Sequence, residues 1–98
     1  MAIFLALINA DVNIPYSRSL KEKRAVMRPI KDRLRNRLNV SVIENGFQDE
    51  KTRGSLLIAG IAEGRRGADS TVSSTINFIE SNFRDLDISF DENVIQIS

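Results

Sequence analysis

The chain opens on a run with no polar interruption, in which Ile3, Leu5 and Leu7 alternate with Phe4, Ala6 and Ile8. Residues 2–12 therefore read as a strand, β1, with apolar side chains on both faces, and a strand coated on both sides belongs in the middle of a sheet. Pro15 restricts the residue before it, which ends the strand region, and Ser19 and Glu22 then stand three apart in the capping-box spacing. Helix α1 is predicted from that point. At about 100° per residue, Leu20, Met27, Ile30, Leu34 and Leu38 share one face, with Val26 at its margin. Pro29 lacks the N–H that would bond to Ala25, so it either kinks the helix near Ala25 or breaks it in two.

Residues 39–44 alternate as a second strand, β2, which ends at Asn45-Gly46, and residues 47–52 follow as a polar hairpin loop. Residues 55–62, Ser-Leu-Leu-Ile-Ala-Gly-Ile-Ala, are again apolar on both faces and form β3, with Gly64-Arg65-Arg66-Gly67 as the breaker after it. From Ala68, the residues Val72, Ile76, Ile79 and Phe83 recur at helical spacing and predict α2, with Asp69 or Ser70 as its N-cap. Ile88 and Phe90 alternate in the last segment, β4, but Ile95 and Ile97 resume with opposite parity. That switch predicts a bulge or small turn around Asp91-Glu92-Asn93.

The order βαββαβ, with right-handed crossovers that each leave a slot for an intervening strand, implies an antiparallel four-stranded sheet in the order β4-β1-β3-β2. Both helices then cover one face. This is a ferredoxin-like α+β sandwich, and 98 residues make it a single domain over 1–98. The two strands that are apolar on both faces, β1 and β3, fall in the centre, as that order requires. Phe4, Ile8 and part of β3 are assigned to the second face, which has no intramolecular partner. Either a modest apolar patch stays exposed there or a homodimer interface uses it, and a homodimer with Phe4 or Ile8 at the contact is the expectation.

Charge changes this picture more than composition does. Net charge is only +1, yet nine of the fourteen basic residues lie between Arg18 and Arg37, opposed there by Glu22 and Asp32 alone. From Gly67 onward the balance reverses: Asp69, Glu80, Asp85, Asp87, Asp91 and Glu92 face the single Arg84. The folded molecule is expected to be electrically polarised unless the two regions pack together.

The chain has no histidine and no cysteine, so the commonest proton shuttle, the thiolate nucleophile and the strongest metal ligands are missing. No enzyme activity, cofactor or metal site is expected, and Glu44, Asp49, Glu50 and Glu63 read as strand-end and loop carboxylates. The absence of cysteine fits a reducing compartment, hence a cytoplasmic protein. The apolar start meets Asn9 and Asp11 well short of the ~20 residues of a membrane span and lacks a basic segment before it.

Arg24, Arg28, Lys31 and Arg35 recur at helical spacing on the flank of α1, and Lys21 extends the stripe. At the far end of α1, Arg35 and Arg37 are expected to approach Arg65 and Arg66 and form a basic edge. Such a surface binds phosphate backbones. The competing reading is a solvated face, favoured by the helix dipole at Arg35 and Arg37 and paired with the acidic C-terminal third. Base stacking of the RNA-recognition-motif kind finds Phe4 on β1 but only Ser55 and Leu57 where β3 needs aromatics. Arg18, after β1, is the sole match to the phosphate loop of acylphosphatases.

The stretches Ser19-Leu20-Lys21-Glu22-Lys23-Arg24, Ile30-Lys31-Asp32-Arg33-Leu34-Arg35 and Leu38-Asn39-Val40-Ser41-Val42 resemble the signature region of the YlxP-like family of small bacterial proteins. The resemblance implies a ferredoxin-like fold. It also implies an RNA or ribosome setting, because members are commonly encoded beside translation-initiation and ribosome-maturation genes. It supplies no catalytic residue. The family's tryptophan in the hairpin after β2 has no counterpart here, where the loop reads Gln48-Asp49-Glu50-Lys51. The resulting expectation is a non-enzymatic RNA- or ribosome-associated binding module using the basic flank of α1. The alternative is a homodimeric protein–protein interaction module with no nucleic-acid role.

Overall fold

Ser19 starts α1 as its spacing to Glu22 predicts: the Glu22 N–H donates to Ser19 Oγ at 3.1 Å, and α1 runs over Leu20–Arg37. The reciprocal bond is displaced by one residue, because the Glu22 carboxylate accepts from the N–H of Arg18 rather than from that of Ser19. Pro29 does not break the helix. The computed structural model describes residues 1–98, with the remaining elements at Ile3–Asn13 (β1), Ser41–Glu44 (β2), Arg53–Glu63 (β3), Gly64–Asn82 (α2) and Asp87–Gln96 (β4).

The sheet is antiparallel throughout, in the order β2-β3-β1-β4, which is the predicted order read from the other edge. Helix α1 lies over β2 and β3, and α2 over β1, β3 and β4. Met27, Ile30 and Leu34 from α1 and Ala68, Val72 and Ile79 from α2 meet Ala6, Ile8, Ala10, Val12, Leu56 and Ile58 of the two central strands, and all are buried. At the margin of that core, Leu20 remains 37% exposed.

Three local expectations are corrected. The Gly64–Gly67 segment is no loop: β3 turns into α2 at one residue, Gly64, whose φ of +72° is open to glycine at no steric cost. Arg65 and Arg66 thus belong to the first turn of α2, and the N-cap is Glu63, without a side-chain capping bond, rather than Asp69 or Ser70. Gly67 then lets the helix approach the strand, since a Cβ there would lie 3.3 Å from Ala62 Cβ. Strand β4 has no bulge, for its pairing with β1 runs without a slip from Phe4–Gln96 to Asn13–Asp87. Its parity switch marks a change of face instead: Ile88, Phe90 and Val94 face the helices, while Ile95 faces the opposite side.

The third correction concerns the proposed dimer residues. Phe4 and Ile8 are 7% and 0% exposed and lie in the core beneath the helices, so neither forms the open face. Even-numbered residues of β1 point inward and odd-numbered ones outward. The later residues decide this, because Asn9, Asp11 and Asn13 share parity with Ile3, Leu5 and Leu7, and the face that carries them is the one left to solvent. Burial of Phe4 also removes it as a base-stacking platform.

Candidate nucleic-acid interface

Ala25 and Pro29 stand one turn apart on the outer side of α1, and between long neighbours these small residues leave a depression. It is a shallow groove of about 660 Å³ lined by Lys21, Arg24, Arg28, Asp32 and Arg33 over the floor of Ala25 and Pro29. Four cations and one carboxylate surround it. None of the four takes part in an ion pair, since the molecule's two pairs are Lys31–Glu44 at 3.2 Å and Arg53–Asp11 at 3.3 Å. Arg33 is steadied by the Phe83 ring, its guanidinium carbon 5.2 Å from the centroid.

The six basic residues singled out in the sequence separate into three groups. Arg24 and Arg28 are exposed in the groove. Lys31 and Arg35 turn toward β2, where Lys31 pairs with Glu44 and Arg35 donates to the Val42 carbonyl at 2.6 Å. Arg65 and Arg66 are exposed in the first turn of α2 and do not line the groove. Lys21 and Arg33 complete the groove, and Arg33 escaped the sequence reading because it lies one residue off the i, i+4 stripe.

Charge polarisation survives folding. The basic helix α1 covers the β2–β3 side of the sheet, and Asp87, Asp91 and Glu92 lie on β4 at the other edge. No ion pair joins the two regions. The solvated-face reading's pairing with the acidic C-terminal third is not formed, while the exposed, unpaired Arg24 and Arg28 of that reading are present.

Lys23 was missed as well. It occupies a gap in the apolar stripe, between Leu20 and Met27, and is only 4% exposed. Its ammonium donates to the carbonyls of Phe47 and of Glu50, the latter at 2.8 Å, and so ties the β2–β3 loop to α1. Phe47 has φ of +59°, a left-handed conformation unusual for a bulky residue, at the point where Lys23 holds its carbonyl. The Phe47 ring carries the Arg53 guanidinium at 4.1 Å, and Arg53 reaches on to Asp11. A charged residue between two apolar positions of the stripe was the available signal.

On the open side of the sheet, register places Leu5 beside Ile61 and Ile95, Leu7 beside Ala59 and Asn93, and Asn9 beside Leu57 and Asp91. Ile61 is 71% and Ile43 56% exposed. The far end of the same face is polar: Ser55 donates to Asn9 at 3.3 Å, and one carboxylate oxygen of Asp11 is buried without a partner. No helix is long and apolar enough to cross a membrane.

Comparison with known proteins adds a family and a fold. The chain is 41% identical over 63 residues to the uncharacterised protein YlxP of Bacillus subtilis (strain 168), a match covering 64% of this chain and 68% of that one. Among solved structures, the de novo designed protein Foldit4 superposes with a TM-score of 0.52 at 10% identity, covering 93% of this chain and 96% of that one. A dimeric ferredoxin-like protein from an uncultured marine organism gives a TM-score of 0.48 at 9% identity, covering 100% and 99%. A family model described as "Protein of unknown function (DUF503)" matches residues 5–90. With that span and the likeness to YlxP, the chain belongs to the DUF503, or YlxP-like, family.

Proposed function

We propose that this protein is a non-enzymatic RNA-binding module, in a ribosomal or translational setting, that holds a phosphate backbone on the outer face of α1. The observation that carries this reading is the groove in which Lys21, Arg24, Arg28 and Arg33 stand without ion-pair partners around Ala25 and Pro29. Cations with no partner inside the fold release an RNA's counterions on binding, which makes affinity fall with salt. The absence of aromatics on an accessible strand face favours backbone contacts over base readout. A second reading, a homodimeric interaction module, is favoured by the apolar open face around Ile61 and Ile43.

Three or four phosphate contacts predict a slope of log K against log salt of roughly −2 to −3 for single-stranded RNA. The double substitution Arg24→Glu/Arg28→Glu is expected to abolish most retention at low salt across unrelated sequences, with the circular dichroism spectrum unchanged. Arg65→Glu/Arg66→Glu changes net charge equally and leaves the groove intact, so it is expected to weaken binding much less. Equal loss in both variants, or loss in neither, would end the assignment to α1.

A further inference from the structure

The open face of the sheet is covered by neither helix of its own chain. At 11.0 kDa a compact monomer exposes about 5,600 Å², whereas this chain exposes 6172 Å². Its dimensions are 49 × 24 × 20 Å, the shape of one helix layer on one sheet layer with nothing on the other side. Three strands of ten or eleven residues and a four-residue β2, at ~4.8 Å spacing and ~3.3 Å per residue, give a footprint of roughly 570 Å² in projection, to which side-chain relief adds, against the ~800 Å² per partner of a standard-size interface. Leu5, Leu7, Ile43, Leu57, Ile61 and Ile95 gather toward one end of the face, with Asn9, Asn93 and Asp91 among them, and the other end carries Asp11, Asn13, Arg53 and Asp87.

We infer that a second copy of this chain covers the open face, related by a two-fold axis that runs along the strands. Two aligned geometries bring the face against itself. An axis across the strands reverses them, so full overlap lays the apolar half of one copy on the Asp11–Asp87 half of the other and buries carboxylates against isoleucine. Sliding the copies until the apolar halves meet removes that conflict but forfeits about half of the contact. An axis along the strands keeps each level of the sheet opposite the same level of the partner. With β1 over β3 and β4 over β2, Leu5 then lies on Ile61 and Leu7 on Ala59, Asp11 and Asn13 meet Ser55 and Arg53 at the polar end, and Asp91 comes opposite Ile43. Charge favours the same choice: Asp87 comes over the β2–β3 edge, where Arg53 is the cation at that level, rather than over β4 of the partner.

This assembly places α1 of each copy outermost, in a four-layer particle with the helix layers about 30 Å apart across three ~10 Å layer spacings. The two grooves around Arg24 and Arg28 then face away from each other. If the α1 reading holds, the dimer bridges two RNA segments and does not line one channel. That consequence rests on the proposed function; the dimer itself does not.

The test needs no RNA. Sedimentation of the native chain at micromolar concentration is expected to give twice 11.0 kDa, and a monomer there overturns the inference. Ile61→Glu and, separately, Ile43→Glu alter side chains that are already exposed, so each is expected to keep its circular dichroism spectrum and cooperative melt while the dimer weakens about 100-fold or more. If both stay dimeric, this face is not the interface. The chain has no cysteine, so Ser41→Cys and Asn93→Cys, at one level on β2 and β4, can be joined by a thiol crosslinker spanning ~10 Å. Crosslinking is expected when the two variants are mixed and not with either alone. Self-crosslinking of a single variant overturns the axis.

Discussion

On the helix-covered side of β1, Phe4, Ala6, Ile8, Ala10 and Val12 form an unbroken apolar row, and all five are buried. On the other side Ile3, Leu5 and Leu7 give way to Asn9, Asp11 and Asn13, and none of these six is buried. Both sides begin alike and differ only in how they continue. The covered row meets two helices that supply Met27, Ile30, Leu34, Val72 and Ile79, so its energy is collected within one chain. The open row meets nothing from its own chain. Two adjacent side chains of equal hydrophobicity therefore have unequal roles: one holds the monomer together, and the other is available for association.

The sharpest way to break this comparison is a matched pair of truncations. Ile8→Ala is expected to cost about 2–5 kcal/mol of unfolding free energy, as a cavity in a closed core does, while Ile61→Ala is expected to change the stability of the isolated monomer by less than about 0.5 kcal/mol. Urea titration of both at low protein concentration measures the difference, and equal losses would mean that the open face is already covered within the chain.

A charge on the covered side offers the next test. Lys23→Met keeps the buried stem but removes the donor from the Phe47 and Glu50 carbonyls, at an expected cost of about 1–3 kcal/mol. Faster amide exchange confined to residues 45–52 would show that the lysine holds the loop, and an unchanged loop would contradict this. On the open side the corresponding charge matters less. Arg53→Ala removes a half-exposed pair with Asp11 and its stacking on Phe47, and the monomer is expected to lose about 1 kcal/mol or less. A loss as large as that of Lys23→Met would show that the open side carries a structural ion pair after all.

Much of the site was legible at the level of residue type and little at the level of partner. That α1 is basic follows from counting, whereas the groove over Ala25 and Pro29 emerged only in the structure, the sequence having marked Pro29 as a kink or a break. Which cations remain free does not follow. Arg24, Arg28, Lys31 and Arg35 form one stripe on a helical wheel, but the wheel does not show that β2 passes beside the last two and offers Glu44 and the Val42 carbonyl. Lys23 is hidden for the same reason, since its acceptors are main-chain carbonyls 24 and 27 residues away.

Local periodicity and turn chemistry determined the elements and, through the right-handed crossover, the strand order: β1 and β3 had to be central because no edge strand is apolar on both sides. Tertiary packing decided what periodicity leaves degenerate. A strand that begins with two apolar faces can be covered on either there; the parity of Asn9, Asp11 and Asn13 marks the open one, and docking of the helices buries Phe4 and Ile8 and leaves Leu5 and Leu7 outward. The same holds for β4, where an apparent slip in register proved to be Ile95 turning to the uncovered side of an unbroken strand. Side-chain alternation is a property of one strand, whereas the choice of buried face is a property of the layer packed against it.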